Sequence, residues 1–164
     1  MQRDMLHFFA SLIYDYQKIF VKCKIMSKVC PVILREKNHI LEVLLFKHPT
    51  AGIQLVKGTI EKSEAIFQAA IRELYEESGI IVEEQHCYDW GSHQISNQRW
   101  YFIFCDTSNQ NLKDQWSYET LDDYGHRFEF FWQNINAYNI PDLPFKYVQA
   151  LDLIKKKMNL YVKQ

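Results

Sequence analysis

The stretch that most constrains this chain lies between Gly58 and Ile80, where a helix-forming segment gathers its acids at the unfavourable end. Over residues 64–78 the apolar side chains Phe67, Ala70, Ile71 and Leu74 recur at helical spacing. At about 100° per residue they fall on one face. Ser63 is placed to cap the start and Gly79 to stop the end. With Glu73 at the origin of the helical wheel, Glu76 and Glu77 flank it, and the small Ala69 one turn earlier leaves room above them. Glutamates there face the negative end of the helix dipole and repel one another. A helix built for stability alone would carry Lys or Arg in those turns. A hard dication held by oxygen ligands removes both penalties, and Mg²⁺ takes carboxylates, waters and substrate phosphates. The plainer reading, a solvated acidic face, is the commoner one for a short acidic cluster standing alone.

The spacing around the cluster shifts that balance. Gly58, Glu64, Arg72, Glu73, Leu74, Glu76, Glu77, Gly79 and Ile80 fall on the pattern G-x5-E-x7-R-E-U-x-E-E-x-G-U, with U aliphatic. The segment resembles the Nudix box at every defined position. Many members of that family carry Pro or Gly just ahead of the box, whereas Val56 and Lys57 stand here. The resemblance implies an α/β fold, the Nudix-type α/β/α sandwich with a mixed β-sheet. It also implies Mg²⁺-dependent cleavage of a phosphoanhydride, with Mn²⁺ a candidate substitute. Carried over residue by residue, it makes Glu76 and Glu77 the principal Mg²⁺ ligands and Glu73 a third ligand or the base. The carbonyl of Lys57 becomes a further ligand. Arg72 and Glu64 resemble the pair that orients the carboxylates, Gly58 the residue that lets backbone approach the metal, and Leu74 and Ile80 packing positions.

The implied chemistry follows from charge. Anionic oxygens shield a pyrophosphate from nucleophiles, and metal ions neutralise that charge and help generate hydroxide. A carboxylate accepts the water's proton. Glu73 ranks first for this, followed by Glu119, Asp122 and Asp123 in the polar segment 106–126, with Glu61 another nearby acid. Trp116 and Tyr118 lie in that polar segment, where core packing explains them less readily, and are candidates to stack a base. Arg99 and His126 are candidates to meet phosphates, with a solvated surface role equally good. The expected substrate is a nucleoside diphosphate linked to another moiety, such as a nucleoside triphosphate or dinucleoside polyphosphate, with nucleotide sugars and capped RNA also open. Two rival readings are a non-catalytic nucleotide-binding sensor and an interaction module using Lys155, Lys156 and Lys157. The intact box weighs against both.

Composition bounds the rest. At 164 residues, 48% hydrophobic and 24% charged, the chain has the material for one layered domain. A formal charge of −1 offers no general attraction for duplex nucleic acid or an anionic membrane. No apolar run reaches the ~18–20 residues of a membrane span. Cys23, Cys30, Cys87 and Cys105 form no CxxC pair, which argues against a zinc site or disulfide framework and suits a reducing cytoplasm. Monomer and homodimer are both compatible with the sequence.

Hydrophobic periodicity predicts strands over 29–35 and 40–46, joined by a polar turn, and over 53–56 ahead of the acidic helix. It predicts further strands over 80–82, 86–95 and 99–105, a long loop over 106–126 and an aromatic strand over 127–132. A last helix over 145–161 is expected to bury Phe145, Val148, Leu151, Ile154 and Met158. Residues 1–25 form an N-terminal amphipathic helix or accessory leader, ahead of a hydrolase domain over 26–164. In the leader Met5, Phe9, Leu12, Ile13, Tyr16, Ile19 and Phe20 keep helical spacing, while His7, Asp15, Gln17 and Lys18 break any signal-peptide core. A chain beginning at Met26 is therefore expected to unfold cooperatively and to keep its turnover per molecule. Loss of a cooperative thermal transition would make the leader part of the core.

Overall fold

Period-two alternation along the strands divides the apolar side chains between two cores. The computed structural model describes residues 26–120, 125–137 and 140–161; the expected leader helix, Asp122 and Asp123 lie outside them. In β1 (Lys28–Val32) Val29 turns to the first core while Cys30 and Val32 turn to the second. In β3 (Ile40–His48) Leu44 and Phe46 join the first core, Val43 and Leu45 the second. Both faces of β3 are thus covered, which explains its almost unbroken apolar run. Helix α1 (Ile66–Ser78) seals the first core with Ala69, Ala70 and Leu74. Helix α2 (Phe145–Tyr161) seals the second with Tyr147, Ala150, Leu151 and Ile154. Two helices and the sheets between them make the expected α/β/α sandwich.

One sheet runs β5 (Gly58–Thr59), β1, β7 (Gln98–Cys105), β6 (Cys87–Ile95). It is mixed, since β1 lies parallel to β7 with Lys28 opposite Trp100, while the other pairs are antiparallel. The second sheet runs β2 (Leu34–Lys37), β3, β9 (Arg127–Asn134), β8 (Gln115–Glu119), all antiparallel, with β4 (Gly52–Gln54) also paired to β3. A parallel pair requires a long crossover, and this one carries α1 across the first core. The acidic helix is thereby held against β1 and β5. Among the described residues no helix is long and apolar enough to cross a membrane.

Four sequence expectations need correction. Helix α1 starts at Ile66 after Ala65, without a side-chain cap, because Ser63 adopts a left-handed conformation at φ 67° and cannot serve as its N-cap. Residues 80–82 are not a strand; Ile80 and Val82 are buried around an exposed Ile81, an alternation that has no ladder partner. The expected loop over 106–126 contains β8, where Trp116 and Tyr118 alternate with polar Gln115, Ser117 and Glu119 along β9. In helix α2 the expected Leu151, Ile154 and Met158 face the second core, but the first two turns depart from the expected stripe. Phe145 and Val148 are exposed while Tyr147 and Ala150 are buried, because the Tyr147 hydroxyl reaches Gln54 Oε1 across the second core.

Gly79 closes α1 in the left-handed region at φ 74°, donating its N–H to the Tyr75 carbonyl. A Cβ added there would lie 2.5 Å from the Tyr118 ring, so backbone and packing demand glycine together. Gly79→Ala is expected to lower stability by about 1 kcal/mol or more, read from the denaturant midpoint. Adding Tyr118→Ala should restore the packing share of that loss. An unshifted midpoint for Gly79→Ala would contradict this account of the helix end.

Candidate active site

The centre of the site is an arginine whose hydrogen-bonding capacity is fully used. Arg72 Nε donates to Glu64 Oε1 at 2.7 Å and Nη2 to Glu64 Oε2 at 2.9 Å, a two-pronged pair. Nη1 donates to Glu73 Oε1 at 2.8 Å and to Glu76 Oε2 at 3.0 Å, and Nη2 also reaches the Thr59 carbonyl at 3.0 Å. A guanidinium has five N–H donors, and each has an acceptor here. One side chain in the middle of α1 thus ties together the loop before the helix, strand β5 and two box glutamates. Its Glu64 bonds raise the Arg72 pKa far above its ordinary value, against the opposing effect of burial. The same bonds hold the Glu64 carboxyl below its usual range. Glu64 Oε2 also accepts the Glu61 N–H at 2.9 Å, which fixes the turn that leads into α1.

Gly58 answers a different constraint. A Cβ built on it would lie 1.7 Å from Glu73 Cδ and 1.8 Å from both carboxylate oxygens. Glu73 occupies the space a side chain would need, and this close approach of backbone and carboxylate leaves Glu73 only 6% exposed. Beside it Glu77 Oε2 accepts the Lys57 N–H at 3.3 Å. Glu73 and Glu77 line one cavity of about 750 Å³, shared with Lys57, Gly58, Thr59, Glu61 and Arg72. Its other walls are Lys28, Phe46, His48, Gln54 and Phe128.

The lysines give this acidic cavity a cationic side. Lys28 Nζ donates to Thr59 Oγ1 at 2.6 Å. Burial, followed by the charge of Lys57, lowers the Lys28 pKa, while Glu73 and Glu77 pull it back up. His48 Nδ1 accepts the N–H groups of Thr50 and Ala51, each at 3.1 Å, which puts the proton of the neutral ring on Nε2. The His48 ring packs 5.1 Å from Phe128 and 5.2 Å from His126.

The sequence candidates divide in space. Arg72, Glu73, Glu77, Lys57, Gly58 and Glu61 all meet at the cavity, with Glu64 behind Arg72. Glu76 is held by Arg72 and is not part of the cavity wall. Glu119 is exposed at the end of β8. Trp116 stacks on Phe130 at 4.9 Å and donates Nε1 to the Ser78 carbonyl, while Tyr118 lies over Gly79. These contacts belong to the first core, and neither aromatic lines the acidic cavity. Arg99 is exposed on β7 and donates to Ser92 Oγ. Sequence reasoning missed Thr59 within the box, and Lys28, Phe46, His48, Gln54 and Phe128, which meet the box only through the pairing of the sheets. A lysine opening a strand and a histidine ending one carry no periodic signal.

The donor set fits a magnesium site of the open kind. Glu73 and Glu77 present hard oxygens to the same cavity beside the main chain of Lys57 and Gly58. Among the described residues no three His, Cys, Asp or Glu side chains converge into a ready-made cage. Mg²⁺ does not require one, since it keeps several waters and takes one or two carboxylates plus substrate phosphates.

Residues 25–152 match the family model described as NUDIX domain. No curated protein is recognisably similar to the chain in sequence. Among solved structures, the NUDIX domain of Shewanella oneidensis NrtR complexed with ADP ribose is similar with a TM-score of 0.61 at 16% identity, over 81% of this chain and 88% of that one. A C. elegans Ap4A hydrolase binary complex gives a TM-score of 0.52 at 19% identity, over 84% of this chain and 98% of that one. The apo form of the T. brucei MERS1 protein gives 0.44 at 19% identity over 57% of this chain, which spans 43% of that protein's length.

Gly58→Ala tests the geometry directly. The added methyl group must displace the Glu73 carboxylate, so phosphohydrolase turnover is expected to fall by about 10²-fold or more, the scale of misplaced catalytic groups. The melting temperature should fall far less than for a comparable core truncation. Unchanged turnover would mean that Glu73 need not occupy the position seen here.

Proposed function

The chain belongs to the Nudix family, and on that premise we propose that it is a metal-dependent pyrophosphohydrolase cutting a phosphoanhydride in a nucleoside diphosphate linked to another moiety. The observation that carries this reading is the single cavity in which the carboxylates of Glu73 and Glu77 face Lys28 and Lys57. Carboxylates suit a dication and ammonium groups suit phosphate oxygens, so both halves of a metal–diphosphate complex find partners. Bound Mg²⁺ would supply charge neutralisation and activation of water. Glu73, Glu77 and the Lys57 carbonyl would hold it, with Glu76 available if it leaves Arg72.

The chain's own groups do the rest. Arg72 fixes Glu73 and Glu76 in orientation, so little reorganisation is needed when substrate arrives. Lys28 and Lys57 hold the anionic oxygens. Glu61, or Glu73 where it serves as base rather than as metal ligand, is the wall carboxylate that would accept the water's proton, a contribution of typically ~10²–10⁴-fold. Trp116 and Tyr118 take no part in this reading, because both pack beside α1. A cytoplasmic setting suits the buried thiols of Cys30, Cys87 and Cys105. The relatives described with ADP ribose and as an Ap4A hydrolase support a nucleotide-like diphosphate as ligand. A binding-only Nudix domain is the second reading, and the complete set of box acids favours hydrolysis over it.

Turnover of a nucleotide panel with Mg²⁺, with products identified by mass, tests the activity. Glu76→Gln and Glu77→Gln keep side-chain size and remove charge. Each is expected to fold, to lose orders of magnitude in turnover and to recover partly at high Mg²⁺. Near-normal turnover at low Mg²⁺ in both variants would reduce the acidic face to a solvated surface.

A further inference from the structure

Three lysines from three separate segments gather at the acidic cavity, all outside the box: Lys28 and Lys57 line its wall and Lys146 stands next to it. Lys28 comes from β1, Lys57 from the segment before β5 and Lys146 from the first turn of α2. The charges of Lys57 and Lys146 both oppose protonation of Lys28, and that of Lys57 opposes protonation of Lys146. Lys57 Nζ lies 5.9 Å from the centre of the Trp100 ring, and Lys146 Nζ lies 5.1 Å from that of Tyr147. Tyr147 in turn bonds Gln54 of the cavity wall and senses the charge of Glu77, which places the start of α2 beside the site.

Placing two half-buried lysines, Lys28 and Lys57, next to an exposed third, Lys146, costs free energy that the fold does not require. In the free protein Glu73 and Glu77 offset part of it, since both stabilise the charged form of Lys28. A dication on those carboxylates would cancel that compensation and leave the lysines to be neutralised by the ligand. A lone diphosphate in the cavity would engage Lys28 and Lys57 of its wall and leave Lys146, outside that wall, unengaged.

We propose that Lys28, Lys57 and Lys146 form a cationic track selecting a substrate whose phosphate chain continues beyond the anhydride that is cut. The substrate class is then a chain of three or more phosphates rather than a diphosphate ending in a sugar. This rests on the hydrolase reading for its meaning, but its test requires no turnover.

The experiment is calorimetric titration of the full chain with two probes that cannot be hydrolysed, methylenediphosphonate and bis(methylene)triphosphonate, with and without Mg²⁺. The triphosphonate is expected to bind about tenfold tighter or more, with a steeper loss of affinity as salt rises. Lys146→Met should remove most of that preference while leaving diphosphonate affinity within about twofold, and Lys146→Arg should restore it. Lys28→Met should weaken both probes, with Lys156→Met as an exposed-lysine control that changes neither. Equal affinity for the two probes, or an unaltered preference in Lys146→Met, would overturn the track. A protein that hydrolyses its panel yet shows no chain-length preference refutes this inference alone. One that discriminates the probes yet hydrolyses nothing refutes the hydrolase reading instead.

Discussion

The fork of Arg72 is the interaction on which the rest of the site depends. Three of its five hydrogen bonds go to carboxylates before and beside it on the chain, and one more ties Glu76 a turn later. Without it Glu64, Glu73 and Glu76 would be like charges around a poorly solvated helix face. Charge-assisted bonds of this kind contribute about 1.5–3 kcal/mol each, and removing one partner of a buried pair typically costs about 3–5 kcal/mol. The fifth bond, to the Thr59 carbonyl, locks the helix to the strand bearing Gly58. The position of Glu73 against the glycine backbone is therefore set from both sides.

The layered fold supplies what the fork cannot. Pairing β1 with β7 and β5 brings Lys28 opposite Thr59, so a cation from the start of the domain reaches the acidic helix. The second core positions α2 through Tyr147, and with it Lys146. The acids of α1 thus meet Lys28 and Lys57 from the sheet beneath, while Lys146 comes from the helix on the other layer. Part of the like-charge conflict in α1 is relieved by Arg72, and the remainder faces groups that a metal and a phosphate chain would satisfy.

Much of this was legible in the sequence because the box residues depend on local geometry. Arg72, Glu73, Glu76 and Glu77 share a helix, so their relation follows from the helical repeat. The apolar run of β3 announced a strand covered on both sides, and the layered class followed. The failures share one cause, which is that tertiary contacts decided them. Tyr147 found a partner in Gln54, so the first turns of α2 bury Tyr147 and Ala150 in place of Phe145 and Val148, while Leu151 and Ile154 stay on the core. Trp116 and Tyr118 looked like loop aromatics until β9 gave them a strand to pair with. Lys28, His48 and Phe128 were invisible as site residues because nothing in their own neighbours says which helix they will face.

The fork geometry of Arg72, and not merely its charge, is what would assemble the carboxylates of the proposed reaction. Arg72→Lys separates the two, since a lysine keeps the charge but offers a point donor in place of a planar fork. Turnover of Arg72→Lys on the best substrate of the nucleotide panel, measured at saturating Mg²⁺ and below its melting temperature, is the direct test. A fall of about 10²-fold or more in kcat, with the protein still folded, is the predicted result. A folded Arg72→Lys protein with turnover close to that of the parent would contradict the account.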